Sequence, residues 1–474
     1  MRGALSLETY SHRRFAAAGL LLVAGLCLLA LFSFSLAKDD LALPMVAVAA
    51  VCFGVLTILR PPLALSAYAI IAVTTMPYQF FMLRGQSTAG GIYLSQVLLV
   101  VMFVGWFMRT AVMWRREERR TPLPLLWPLV ALAIVPFVSV LSAYVTWDPE
   151  ISTVHRKLVV QLAGASLITL AMLAVFLVYG VITTVAQVRT IFTIMVALSA
   201  LSFCDAFNLF NLSTPGKALV YTVAPIAFSF ALHERNRWKK LLWLTLVVPP
   251  LIMPVRDIKV TLIVEMLVPL LFISLVHSRR AFAQTVAVLA AAYVLLGLAI
   301  GHSPGLRVYE KAQMMKDFDR IMLLQKAVET WKAHPLFGVG PGGQFAYLDG
   351  EHFYGTAHSL YGNQLMEIGL VGMVALFWMA GAALKLGWRS YRHALAAAGG
   401  KRGADPPDRA FLRAFTLGQT GGLVGILVAG LLSDTLLPAV QNGGMFMFGA
   451  AVYVWILLGM TAALHRMQLE GKIG

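Results

Sequence analysis

Apolar runs of about 20 residues, the length that crosses a bilayer as a helix, recur along almost the whole chain with short polar breaks between them. Walking from break to break gives candidate spans beginning near Phe15, Met45, Leu63, Ile92, Leu125, Leu158 and Ile191, then near Ala218, Leu241, Val260, Ala281, Ser359, Phe415 and Met445. Uninterrupted apolar runs point to helices, which satisfy their own backbone in lipid, and they exclude an outer-membrane barrel. The pattern therefore predicts an all-α polytopic membrane protein with about 12–14 transmembrane helices, the short candidates near Met45 and Leu241 being half-helices or re-entrant segments. The run from Phe15 to Ala37 follows a basic N-terminal stretch without a small-residue cleavage site and reads as a retained first span.

One block breaks this rhythm. From Gly301 to His358 the composition is that of a soluble protein, which divides the chain into an N-terminal helix bundle (1–300), a large loop (301–358) and C-terminal helices (359–474) with a polar linker at 389–412. Within the loop, Met314, Phe318, Ile321, Leu324, Val328 and Trp331 recur at three-to-four spacing between Gln313 and His334, which predicts an amphipathic helix lying on the membrane or roofing the bundle. His334-Pro335 ends it. The segment GVGPGGQF that follows supplies glycines that permit tight turns and let backbone N–H groups approach a phosphate or sugar. The chain then re-enters the apolar phase at Ala357-His358-Ser359, with Glu367 about two and a half turns further on.

Composition confirms the class: 59% of 474 residues are hydrophobic, 13% are charged and mean hydropathy is +0.78, more apolar surface than a soluble core can hide. The formal net charge of +16 would suit nucleic acid in a soluble protein. Here the cations cluster at Arg13/Arg14, Trp114–Arg120, His233–Lys240, His277–Arg280 and Lys385–Arg413, as the positive-inside rule requires of cytoplasmic breaks, so no nucleic-acid partner is implied. Cys27, Cys52 and Cys204 all lie in apolar runs without ligand spacing and read as small core residues.

With that topology the loop faces outward, and so do Arg156, Lys217, Arg256, Lys259 and Arg320, which the positive-inside rule does not account for. Singly, such cations snorkel to lipid phosphates or pair with Asp148, Glu150 or Asp257. Converging from different loops, they resemble a binding site for a polyanionic head group. Asp317 and Asp319 form a DxD that could hold a metal, but residues two apart on a helix point away from each other. His358, at or near a helix N-terminus, is either a capping or interfacial histidine or a neutral imidazole that accepts a proton. Glu367 reads as a buried hydrogen-bond partner. Asp205 and Glu265 are the intramembrane carboxylates on which a transporter reading would rest, although no internal repeat accompanies them.

Pro335-Leu336-Phe337-Gly338-Val339-Gly340-Pro341-Gly342, then Ala357-His358, then Glu367-Ile368-Gly369-Leu370-Val371-Gly372 resemble, in order and spacing, the bacterial O-antigen ligase and polymerase superfamily. The family commonly has His-Asn where this chain has His358-Ser359, and Ser-Arg-Gly where it has Val255-Arg256-Asp257. The resemblance implies an inner-membrane glycosyltransferase with a periplasmic site. Its donor would be a glycan on undecaprenyl diphosphate and, in the ligase branch, its acceptor a sugar of the lipid A core. It also implies Arg256 and Arg320 as basic site positions. The chemistry required agrees: Arg256, Lys259 and Arg320, with Lys217 and Arg156 as weaker candidates, would stabilise the departing diphosphate, and His358 would act as general base with no metal or other cofactor. Polymerisation of repeat units and transfer to a protein hydroxyl share these motifs.

This topology predicts that single cysteines introduced near Gly305 and Gly350 react with a membrane-impermeant thiol reagent in cells with a permeabilised outer membrane, whereas one near Gly403 does not. Equal labelling at Gly403 would invert the chain.

Overall fold

A computed structural model describes residues 42–74, 94–113, 121–146, 158–205, 214–256, 260–300, 320–343, 357, 359–396, 407–433, 436–438 and 448–473. The first candidate span and most of the outward loop lie outside the described residues. The regular elements among those described are all helices: α1 (Ala42–Leu59), α2 (Pro61–Thr74), α3 (Leu94–Met113), α4 (Leu126–Thr146), α5 (Leu158–Val181), α6 (Val185–Asp205), α7 (Thr214–His233), α8 (Arg237–Thr245), α9 (Val248–Arg256), α10 (Val260–His277), α11 (Arg279–Ile300), α12 (Arg320–Ala333), α13 (Leu360–Ala396), α14 (Pro407–Ala429) and α15 (Phe448–Leu469). Seven of the described helices are long and apolar enough to cross a membrane unaided, and shorter apolar stretches lie in α1, α2 and α7. The protein is thus an all-α polytopic membrane protein.

Several boundaries follow directly from sequence chemistry. Pro61 opens α2, where its fixed φ suits a first helical position and its missing N–H costs nothing. Pro136, Pro225 and Pro269 sit inside α4, α7 and α10, as is tolerated where neighbouring helices satisfy the freed carbonyls. The candidate span near Leu241 is two nine-residue helices, α8 and α9, with Asn236 capping the first by accepting from the Trp238 and Lys239 amides. Helix α13 continues to Ala396 and α14 begins at Pro407, so both helices extend into the stretch 389–412. Cys52 is exposed on α1, not a core residue, and Cys27 and the Cys204 side chain lie outside the described residues.

The bundle is organised around α15, which is buried along nearly its whole length and packs against α5, α13, α7 and α14. Tyr453 donates its hydroxyl to Ala69 O (2.6 Å), tying α15 to α2. On α14, glycines allow close approach to two other helices. A Cβ on Gly418 would come within 2.5 Å of Ile226 Cα in α7, and one on Gly425 within 2.6 Å of Pro269 in α10. Helix α11 packs on α10 and exposes Val288, Val294, Leu295 and Leu298, as a lipid-facing helix does.

The ends of α5, α7, α10, α13 and α15 and the starts of α6 and α14, which carry the described basic residues of this region, lie at one end of the bundle. Arg466 of α15, 3% exposed, donates to Tyr179 O (2.9 Å) and Ile182 O, capping the end of α5, and stacks on the Tyr179 ring. Arg189 of α6 pairs with Asp408 (2.7 Å) and donates to Pro407 O at the start of α14. At the opposite end α13 begins, α10 begins and α12 packs on α13.

Candidate functional site: a loop inserted into a broken helix

Helix α13 is interrupted at Gly369, whose backbone (φ 62°, ψ −165°) lies in a region open essentially to glycine alone. An unbroken helix would run hydrogen bonds from Leu370 N to Met366 O and from Val371 N to Glu367 O. Those four groups turn outward instead and are taken up by the segment that follows α12. Val339 N donates to Met366 O (2.9 Å) and Gly340 N to Glu367 O (2.9 Å), while Leu370 N donates to Pro335 O (2.9 Å) and Val371 N to Leu336 O (3.1 Å). The stretch Pro335–Gly340 thus substitutes bond for bond for the missing helical rungs. Irregular backbone at membrane depth is tolerated when it is satisfied in this way inside the protein.

The insertion requires two glycines in register. A Cβ on Gly338, itself at φ 67°, would lie 2.3 Å from Met366 O, and one on Gly369 would lie 2.4 Å from Leu336 O. Three side chains then clamp the loop. Ser139 of α4 directs its hydroxyl at both Phe337 O and Glu367 O, and Gln161 of α5 donates to Val339 O (3.0 Å). Glu367, 3% exposed, accepts from Gly342 N (3.1 Å) through one oxygen and from Gln364 Nε2 (3.3 Å) through the other. Glu367 is therefore the buried hydrogen-bond partner that its place in an apolar run suggested.

The glycine-rich segment does a different job from the one its composition suggested. The amide of Gly338 donates to His334 O, that of Gly340 to Glu367 O, that of Gly342 to the Glu367 carboxylate and that of Gly343 to Gly340 O. With these donors consumed and residues 339–343 buried, the segment is a plug and not a phosphate cradle. Sequence reasoning flagged the glycines and Glu367 but missed Ser139, Gln161 and Gln364. A polar residue inside an otherwise apolar run was the available signal for all three.

Helix α12 is the described part of the expected amphipathic helix, and it roofs the bundle. Leu323 and Ala327 bury against Val339, Ala357 and Met366, and Gly362 faces Leu324 so closely that a Cβ there would come within 2.9 Å of it. The starts of α13 and α10 are both anchored to the turn after α14. Leu360 N donates to Gly430 O (2.8 Å) and Ser433 O (3.1 Å), and Thr261 donates its hydroxyl to Leu432 O (3.2 Å). Ser359 also reaches Gly430 O, Tyr361 donates to Leu427 O (2.6 Å), and Asn363 accepts from Ala357 N (2.7 Å).

The expected site residues distribute about this end as follows. His358, Lys259 and Arg156 lie outside the described residues, as do Asp317 and Asp319. Arg256 is the last residue of α9, Lys217 is in the first turn of α7 and Arg320 opens α12, with their side chains outside the described set. The chain positions on either side of His358, Ala357 and Ser359, are buried and hydrogen-bonded. The backbone therefore brings the starts of α10 and α13 to one turn, at 430–433. No group of three His, Cys, Asp or Glu residues converges as a metal site among the described residues.

Residues 200–377 match the family model described as O-antigen ligase. No curated protein matches the chain. The matched segment runs from the end of α6 through the Gly369 break and includes Lys217, Arg256, Lys259, Arg320, His358 and the whole inserted loop, but neither Ser139 nor Gln161. A domain of this kind indicates a glycosyltransferase of the O-antigen ligase or polymerase type, acting on lipid-linked glycan in a multi-pass membrane protein.

The insertion predicts that Gly369→Ala and Gly338→Ala each lose at least about 3 kcal/mol, combining left-handed backbone strain with overlap onto a carbonyl. Thermal melting and folded yield in detergent measure this. Gly381→Ala, on the same helix with nothing within 4 Å of its Cβ position, should melt like the wild type.

Proposed function

We propose that the O-antigen ligase domain at residues 200–377 transfers O-antigen glycan from undecaprenyl diphosphate to a sugar hydroxyl of lipid A core, on the periplasmic side of the bacterial inner membrane. The observation that carries the reading is the anchoring of the α10 and α13 starts to the 430–433 turn within one end of the bundle, opposite the basic end. The positive-inside rule makes the basic end cytoplasmic and this end periplasmic. No nucleotide supply exists there, so the energy of transfer has to reside in the glycosyl phosphate bond already.

In the proposed step His358 takes the proton of the acceptor hydroxyl as its oxygen attacks the anomeric carbon. The bond from that carbon to the phosphate oxygen breaks, and its electron pair leaves on undecaprenyl diphosphate. A single displacement inverts the anomeric centre, and no metal is needed. Arg256, Lys259 and Arg320, with Lys217 and Arg156 further out, offset the charge that develops on the diphosphate. The apolar bundle surface accommodates the isoprenoid tail. Polymerisation of repeat units and transfer to a protein hydroxyl would use the same donor chemistry with a different acceptor. One observation favours a transport reading: Glu265, 6% exposed inside α10, has an Oε2 without a hydrogen-bond partner, the kind of intramembrane carboxylate that marks a solute path.

The test is product analysis with purified protein and lipid-linked donor, each acceptor being offered separately. His358→Ala should lower the rate by roughly 10²- to 10⁴-fold with donor binding retained, and the wild-type rate should fall on acidification as the imidazole protonates. Arg256→Ala should cost about 2–4 kcal/mol in the transition state, with incomplete rescue by Arg256→Lys if the guanidinium grips two oxygens. Full activity of folded His358→Ala at saturating donor would remove the base assignment. Solute movement without glycan transfer would replace the whole reading.

A further inference from the structure

Glu265 of α10 is a buried carboxyl that has no part in the proposed glycan transfer. It is 6% exposed, its Oε2 has no hydrogen-bond partner, and no described residue forms an ion pair with it. Met266 and Pro269 are buried beside it on α10, and across the seam lies the glycine face of α14. A Cβ on Gly425 would lie 2.9 Å from Glu265 O and 2.6 Å from Pro269, and one on Gly421 would lie 2.4 Å from Ile273, so the two helices are in close contact from Glu265 to Ile273. Pro269 has no N–H to give Glu265 O, so that carbonyl lacks its usual helical donor. An ionised carboxylate would add further acceptors and a full charge to a seam in which no described group answers them.

Packed against α10 are α7, α9, α11 and α14. The titratable groups they bring nearest the depth of Glu265 are phenols: Tyr221 of α7, buried with Met266, and Tyr293 of α11, half exposed. Lys217 and Arg256 lie on α7 and α9 toward the end that carries the 430–433 turn, with their side chains outside the described residues. The remaining charged groups of these helices lie at the opposite, basic end.

We propose that Glu265 is a proton-binding site: its carboxyl carries a proton while α10 and α14 are packed, and release of that proton drives the two helices apart. An unpaired charge at this burial costs far more than a neutral acid. With no cation to pair with, the group meets that constraint by keeping its proton or by reaching water. Thr261, one turn nearer the head of α10 on the same face, donates to Leu432 O, so separation at Glu265 acts directly on the hydrogen bond that holds α10 to the 430–433 turn. A metal cation would need several oxygen ligands, whereas a proton needs only the carboxyl itself. The inference stands whether or not the chain transfers glycan.

The experiment uses the purified full-length chain in detergent and sodium-free buffer. Infrared difference spectra between wild type and Glu265→Gln at neutral pH should show a carboxylic-acid carbonyl band that the variant lacks. Unfolding releases the carboxyl to water, where it ionises. From the ordinary glutamate range upward, the unfolding constant of the wild type relative to that of Glu265→Gln should therefore rise about tenfold per pH unit, until the folded group ionises too. Glu265→Met, apolar and near in size, supplies the same reference if the amide variant does not fold. Glu329→Gln, on the exposed side of α12, should follow the wild type at every pH. Loss of a carboxylate band in place of the acid band, or an unfolding ratio that does not change with pH, would overturn the proposal. So would removal of the acid band by sodium chloride but not by choline chloride, which would make the site one for a metal cation.

Discussion

Two rungs of hydrogen bonding that α13 gives up at Gly369 are restored by a segment from outside the helix, and much of the architecture at this end of the bundle depends on that exchange. Left unpaired in a membrane interior, the Met366 and Glu367 carbonyls and the Leu370 and Val371 amides would each cost about 1–3 kcal/mol or more. The loop Pro335–Gly340 removes that cost only in one register, because Gly338 and Gly369 each face a carbonyl of the other strand at a distance no side chain tolerates. The polar residues Ser139, Gln161 and Glu367 then make sense as clamps on a backbone crossing, each reaching a backbone group of the loop or of the broken helix.

The exchange also positions the machinery above it. Because the loop is fixed against α13, helix α12 that precedes it is fixed as a roof, and the chain that follows returns to Ala357 and Ser359, which are held by Asn363 and by the turn after α14. That same turn receives Thr261 at the head of α10. A general base and a set of diphosphate-binding cations drawn from distant parts of the sequence need such a common reference, since proton transfer and charge stabilisation both fall off within an ångström or two of misplacement. The rigid part of this end is therefore largely backbone, and Arg256, Lys217 and Arg320 fall at the ends of α9, α7 and α12.

The sequence made the helical, polytopic character plain through the length and repetition of its apolar runs. The break near Leu241 was visible because HERNRWKK and the Val-Pro-Pro step leave too little uninterrupted apolar length for one clean helix. The motif residues Gly338, Gly340, Glu367 and Gly369 were visible too, but their purpose was not. Glycine composition is equally compatible with a phosphate cradle and with a tight backbone crossing, and only the partners of the amides decide between them. Ser139 and Gln161 escaped because a lone polar residue in an apolar run has no periodic signature. They act through a loop about 180–200 residues away, a contact that no local pattern encodes.

The most direct test of the loop insertion is backbone hydrogen exchange on peptides covering residues 335–343 and 365–372 in the detergent-solubilised protein. If the loop and the broken helix supply each other's hydrogen bonds, the amides of Val339, Gly340, Leu370 and Val371 should be strongly protected and should open together, and Ser139→Ala should accelerate both peptides by the same factor. Protection of residues 370–371 that persists while the loop exchanges freely would mean that the helix satisfies itself, and would contradict the account.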